Sequence, residues 1–310
     1  MVQALVILLA AGSLAWFAVS KQGDARTRTT TSSSTPPTSA VTSTTHPAGA
    51  QVEQPGWTAV TRSHGTIVVD RRSFTFADGN VVTVFRFRAN EVRFALHTGS
   101  SDPPGAAAVA GVRGGPQISA SEAPHVVAAF NGGFKVASQS GGFELNGRVI
   151  VPLRAGFASL VIDANGGARI GVWGAGLPRR GEQVLSVRQN LQPLIAGGAL
   201  SATINDVPAW GDPLGGVPQV ARSALGEDAA GNLIYAASMH ALPLDVGAAL
   251  LHAGAVHAME MDINPYWVQL ESTPHPGGKL VAGIPSQNRP GNQYQLGWTR
   301  DFVTVMAVSH

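Results

Sequence analysis

The stretch that decides the fold is Leu244–Trp267, LDVGAALLHAGAVHAMEMDINPYW. Asp245 can cap a short helix whose apolar residues Val246, Ala249, Leu250 and Ala253 recur at near-helical spacing, and Gly254 is placed to end it. A strand follows at once. From Val256 onward a period of two puts Met259, Met261 and Ile263 on one face and Ala258, Glu260, Asp262 and Asn264 on the other. Two carboxylates therefore share a face, with β-carbons roughly 6–7 Å apart at a strand rise of about 3.3 Å per residue. Pro265 stops the strand, so the pair lies near its carboxyl end. Such a pair is either a solvated or salt-bridged face or the mouth of a site. The Ala, Val and Met flanks suggest a central strand, where an uncompensated carboxylate is costly and needs a partner or a task.

Working outward, the chain of 310 residues is 44% hydrophobic and 13% charged, enough to bury a sizeable core. Its 37 glycines and 20 prolines favour turn-rich strands over a helical bundle. The expected class is α+β, a strand-rich mixed sheet core with a few helices. A net charge of +2 with no Lys/Arg run argues against nucleic acid as a partner. The absence of cysteine excludes disulfides, thiolate metal sites, a cysteine nucleophile and a lipoprotein anchor.

Residues 2–19, VQALVILLAAGSLAWFAV, are of bilayer-spanning length and nearly all apolar. We expect residues 1–20 to be a membrane anchor, with cleavage near Ser20 and secretion as the alternative. Lys21, Arg26 and Arg28 come after the span, which by the positive-inside tendency opposes an exported domain, although long domains are exported despite such charges. Residues 21–56, dominated by Ser, Thr and Pro around Thr27–Thr45, lack the apolar content of a core and read as a disordered stalk, which implies export of the folded region beyond it.

Trp57 opens ordered sequence. Phe74 and Phe76, the Asp78-Gly79 turn, then Val82 and Val84 make a hairpin, and Val92, Phe94 and Leu96 a further strand. Residues 57–115 thus form an N-terminal β-rich region, with His97 structural, and 116–310 the main domain. Val126–Phe130 leads into Asn131-Gly132-Gly133-Phe134, either a tight turn or a backbone shaped for close ligand approach. Asn146-Gly147 and Asn165-Gly166-Gly167 join the strands of a meander. Arg222 enters a strand-like run whose guanidinium suits a phosphate or a carboxylate. His240 ends the next strand, either as a proton-transfer group or as an ordinary hydrogen-bonded side chain.

Together, FNGGF (130–134), GGFELNG (141–147), RSALG (222–226) and LIYAASM (233–239), with GAALLHAGAVHAMEMD (247–262) after them, resemble the phosphodiester glycosidase family over roughly residues 125–300. The resemblance implies that Asn131, Arg222 and Asp262 come together. The family Asp opens an Asp-Gly-Gly-Gly-Ser run, whereas this chain reads Asp262-Ile263-Asn264-Pro265-Tyr266. Glu260 stands where the family usually has Asn, and Lys135 where it usually has an aromatic residue. Tyr266 and Trp267 replace the lost glycines with groups able to stack on a sugar.

The expectation is an exported, membrane-anchored hydrolase cleaving a sugar-1-phosphodiester of cell-envelope glycan. Asp262, Glu260 and Arg222 are its catalytic candidates. Asn131, Gly132, Gly133, His240 and Trp267 are its substrate-binding candidates, with no metal and no cofactor. A carboxylate would stabilise the charge built on the sugar and an arginine that on the leaving phosphate. Two alternatives stand: a non-catalytic glycan-binding domain on the same fold, and an ordinary O-glycosidase using Glu260 and Asp262.

Overall fold

The computed structural model describes residues 56–103, 114–212 and 214–309. The expected anchor and linker, but for Gly56, lie outside them; among the described residues no helix is long and apolar enough to cross a membrane.

Among the described residues, short apolar runs separated by Gly and Asn turns give three sheets and two α-helices, numbered in chain order. The largest sheet runs in the order β1 (Thr58–Ser63), β2 (Thr66–Thr75), β3 (Val81–Phe87), β15 (Leu233–Ala241), β14 (Val220–Asp228), β16 (Ala255–Glu260), β12 (Pro193–Ala196) and β13 (Ala199–Leu200). A second is ordered β10 (Gly176–Leu177), β9 (Ala168–Trp173), β8 (Ala158–Asp163), β11 (Val184–Gln189), β6 (Phe143–Leu145), β7 (Arg148–Val151). The third is ordered β18 (Val281–Ala282), β17 (Leu270–Ser272), β5 (Val126–Asn131), β19 (Phe302–Ala307), β4 (Val92–His97). Among these pairings β9–β10 is parallel and the rest antiparallel.

The described residues are therefore mostly β, and the α-helices among them are α1 (Pro243–His252) and the single turn α2 (Gln293–Leu296). The β2–β3 hairpin turns at Gly79, whose φ of +84° glycine adopts without strain. Residues 57–97 do not form a sheet of their own. The far edge of β3 pairs with β15 and β4 pairs with β19, so this region is built into two of the sheets.

The helix read from Leu244–Trp267 is present and starts three residues earlier than read, with Leu242 in place of Asp245 at the cap position. Pro243 takes the first position, where its fixed φ suits the helix and its missing N–H is not needed. Asp245 lies one turn in, its Oδ2 accepting the Leu242 N–H at 2.8 Å, so it caps from inside the helix. Gly254, at φ +98°, ends the turn and releases the chain into β16.

Strand alternation then divides two cores. Met259 and Met261 join Phe87, Phe130, Leu160 and Tyr235 between the sheets. Ala258 faces the other way, into a core closed by α1 through Val246, Ala249 and Leu250. Since α1 is the main cover of that face, Leu250→Ala should cost about 2–5 kcal/mol, read as a lowered urea midpoint. The same change at half-buried Leu244 should cost less.

Candidate active site at Asp262

Two chain segments build the site: the Asn131–Phe134 turn that leaves β5 and the Glu260–Trp267 segment that leaves β16. Asn131 is buried, and both ends of its amide are occupied. Nδ2 donates to Gly132 O (2.8 Å) and Ser223 Oγ (2.9 Å), while Oδ1 accepts from the Tyr235 hydroxyl (2.6 Å) and the Gln269 N–H (3.2 Å). Ser223 Oγ donates to Asp262 O (3.0 Å) and accepts the Asp262 N–H (3.1 Å). Asn131 thus sets the Asp262 backbone through Ser223.

The two glycines have a physical reason. A β-carbon on Gly132 would lie 1.8 Å from Asp301 Oδ2, and one on Gly133 would lie 3.0 Å from Arg188 Cζ and Asn190 Cγ. The close approach they permit is made by the protein's own side chains. Arg188 Nε donates to Asp301 Oδ2 at 2.7 Å, and its other nitrogens reach Gln189 O and Phe134 O. Asp301 accepts the Gly133 N–H through Oδ2 (3.3 Å) and the Gly132 N–H through its carbonyl (2.9 Å). Arg300 donates to Gly133 O (2.8 Å), Asp102 Oδ2 (2.8 Å) and Asp262 Oδ2 (3.4 Å). Asn190 accepts the Phe134 N–H (3.1 Å) and donates to Glu260 O (2.8 Å) and Met261 O (2.9 Å), tying the turn to the end of β16.

Asp262, 3% exposed, lines a cavity of about 410 Å³ with Phe134, Lys135, Asp212, Asn264 and Trp267. Its Oδ1 accepts the Asn264 N–H at 2.8 Å. Burial pushes its carboxyl up to about 6; Arg300 and the backbone amides pull against that rise, and the charge of Asp301 adds to it. Glu260 has a different setting. It is fully buried and not on the cavity wall, with Oε1 accepting Arg222 Nη1 at 2.6 Å. Arg222, equally buried, also donates to Trp210 O (3.0 Å) and Ala241 O (3.2 Å). Burial pushes Glu260 up to about 8 against the pull of Arg222, and the charge of Asp262 contributes to the rise.

Of the eight candidate residues, the structure puts Asp262 and Trp267 on the cavity wall. Asn131, Gly132 and Gly133 stand behind it and fix its backbone. Arg222 and Glu260 are paired with each other beneath it. His240 is exposed, 3.0 Å from Asn80 Oδ1, and lines a different cavity with Val81 and Ser286. Sequence reasoning did not single out Arg188, Asn190, Arg300, Asp301 or the second wall carboxylate, Asp212. The adjacent charges Arg300-Asp301 ahead of an apolar strand were the available signal. Among the described residues no cluster of three or more His, Cys, Asp or Glu side chains is placed to hold a metal ion.

Compared by sequence, the chain matches no protein-family model and no curated protein. Among solved structures it is similar to the catalytic domain of zebrafish N-acetylglucosamine-1-phosphodiester alpha-N-acetylglucosaminidase, auto-inhibited by its pro-peptide. That likeness has 14% identity and a TM-score of 0.49 over 82% of this chain and 88% of that one. It is also similar to a hypothetical protein from Synechocystis, at 12% identity and a TM-score of 0.45 over 82% of this chain and 64% of that one.

Two stability outcomes are expected from these contacts. Arg222→Met leaves Glu260 buried without its cation and should destabilise by about 3–5 kcal/mol, whereas adding Glu260→Leu should recover most of the loss. A double variant no more stable than the single one would show that the pair is not the cause. Burial also raises the Glu271 carboxyl, to about 7. For Glu260, Asp262 and Glu271 the folded pKa lies above the unfolded one, so their contribution is complete below the ordinary carboxyl range and is lost as pH rises through about 6–8. Glu122 is the reverse case: despite burial, His97 and Ser119 hold it down to about 2, and its contribution is lost in strong acid. The urea midpoint should peak at about pH 4, near the ordinary carboxyl range, and decline from there toward about pH 8.

Proposed function

We propose that the protein is a hydrolase of sugar phosphodiesters acting at the Asp262 cavity. The observation that carries this reading is a carboxyl displaced to about 6 by burial, yet open to a cavity that also presents an ammonium group and an indole. The order of the FNGGF, RSALG and β16 motifs supports the same class.

In this mechanism water adds to the anomeric carbon as the bond from that carbon to the phosphate oxygen breaks, and the electron pair leaves on the phosphate. The ionised Asp262 stabilises positive charge on the sugar ring, and Arg300 holds the carboxylate in position. Because a phosphate monoester leaves readily, little acid assistance is required. Asp212 is the wall group available to take the proton lost by the water. Arg222 serves the site indirectly, by balancing Glu260 beneath the floor.

On a GlcNAc-1-phosphodiester, Asp262→Asn should lower kcat/KM by at least about 10²-fold. If the carboxylate is the active form, wild-type kcat/KM should rise with pH through about 6 and level off above it. Full activity in the Asn variant removes the mechanism. A second reading, a glycan-binding domain without turnover, is favoured by the burial of Arg222, which takes it out of reach of a ligand. Wall polysaccharide bound by Asp262→Asn as by wild type, lost in Trp267→Ala and never hydrolysed, would establish it. An ordinary O-glycosidase would need Glu260 at the wall, where the geometry does not put it. Both readings propose an exported, membrane-tethered domain on the stalk read from residues 21–56. Protease added to intact cells should therefore digest it.

A further inference from the structure

Among the described residues, Arg188 behind the cavity is held by Asp301, and two further cations beside it are committed as well. Arg300 is buried and donates to Asp102, Gly133 O and Asp262. Arg222 is spent on Glu260 and has no face on the cavity. Lys135 differs from both. It lines the cavity, is exposed, and among the described residues forms no ion pair; its Nζ rests 4.7 Å from the centroid of the Trp267 ring. The Arg300 guanidinium lies 4.5 Å from the same ring, so Trp267 carries two cations.

The backbone on either side explains how a flexible side chain is delivered to a fixed place. Phe134 is held at its N–H by Asn190 and at its carbonyl by Arg188, which sets the Cα of Lys135 at the rim while the four-carbon stem stays free. An ammonium on an exposed aromatic face is weakly held, and a phosphate oxygen is a stronger partner for it. Trp267, in turn, offers its indole to a sugar only once the ammonium has moved.

We propose that Lys135 is the phosphate-contacting residue of this cavity. It parks on Trp267 in the free protein and crosses to the phosphate of an incoming sugar phosphate, uncovering the indole for the sugar ring. This rests on the sugar-phosphodiester reading for its ligand class, but concerns binding and not turnover.

The test uses full-length protein in detergent micelles and two ligands: a C-phosphonate analogue of N-acetylglucosamine 1-phosphate, which lacks the scissile bond, and free N-acetylglucosamine. Kd is measured by calorimetry for wild type, Lys135→Gln and Lys135→Arg at low and high salt. The expected result is at least tenfold weaker phosphonate binding in Lys135→Gln, most of it restored in Lys135→Arg, with the gap narrowing in salt. Free sugar should bind Lys135→Gln as well as wild type or better, because the indole is already uncovered. An unchanged phosphonate Kd, an equal loss for both ligands, or no phosphonate binding by wild type overturns the proposal. If the phosphonate behaves as expected and the phosphodiester is never hydrolysed, the hydrolase reading fails and the role of Lys135 stands. If hydrolysis occurs with a KM indifferent to Lys135, the reverse holds.

Discussion

The buried pair between Arg188 and Asp301 is the constraint on which the site depends. Both side chains are almost wholly withdrawn from water, a transfer that costs several kcal/mol per ion and is offset only by close geometry and further hydrogen bonds. Here the further bonds go to the main chain of the Asn131–Phe134 turn, through Gly133 N–H and Phe134 O. Glycine at 132 and 133 is the condition for that approach, since a single added carbon on Gly132 would overlap the Asp301 carboxylate. Charge pair and turn therefore specify each other, and Asn190 carries the result across to β16.

Glu260 and Asp262 show how two like groups, two residues apart, come to differ. The strand ladder holds Glu260 opposite Ala224, on the face where Arg222 waits. Just past the strand, Asp262 turns its Oδ1 to the Asn264 N–H, a local turn that Pro265 helps to enforce by blocking further extended pairing. One acid is consequently the buried partner of Arg222 inside the protein, and the other is a carboxyl at the edge of open space. Their mutual repulsion raises the former, which links the floor of the cavity to its wall electrostatically.

Local chemistry made much of the fold legible. The Asp78-Gly79 hairpin, the Asn146-Gly147 and Asn165-Gly166 turns, and the α1–β16 unit are all dictated by spacing and turn residues. What spacing does not encode is which distant strands become neighbours: β12 against β16, or the last strand β19 between β5 and β4. The residues that hold the site fall in the same class, because Arg188 meets Asp301 across 113 positions of chain. A period of two likewise places Glu260 and Asp262 on one face without distinguishing a cavity from a waiting guanidinium. The Asn131-Gly132-Gly133 motif was visible as a special turn, but whether ligand or protein fills the space above the glycines is decided by side chains far away in sequence.

The position of β19 has a consequence for how the molecule comes into being. Arg300 and Asp301 meet the Gly-Gly turn across 167 and 168 positions of chain, and Phe302–Ala307 form an inner strand beside β5. Closing loops of that length costs more entropy than closing the local hairpins, so the cavity takes shape after the hairpins have formed. A partly folded chain whose hairpins have closed therefore has no shaped cavity until these distant segments meet.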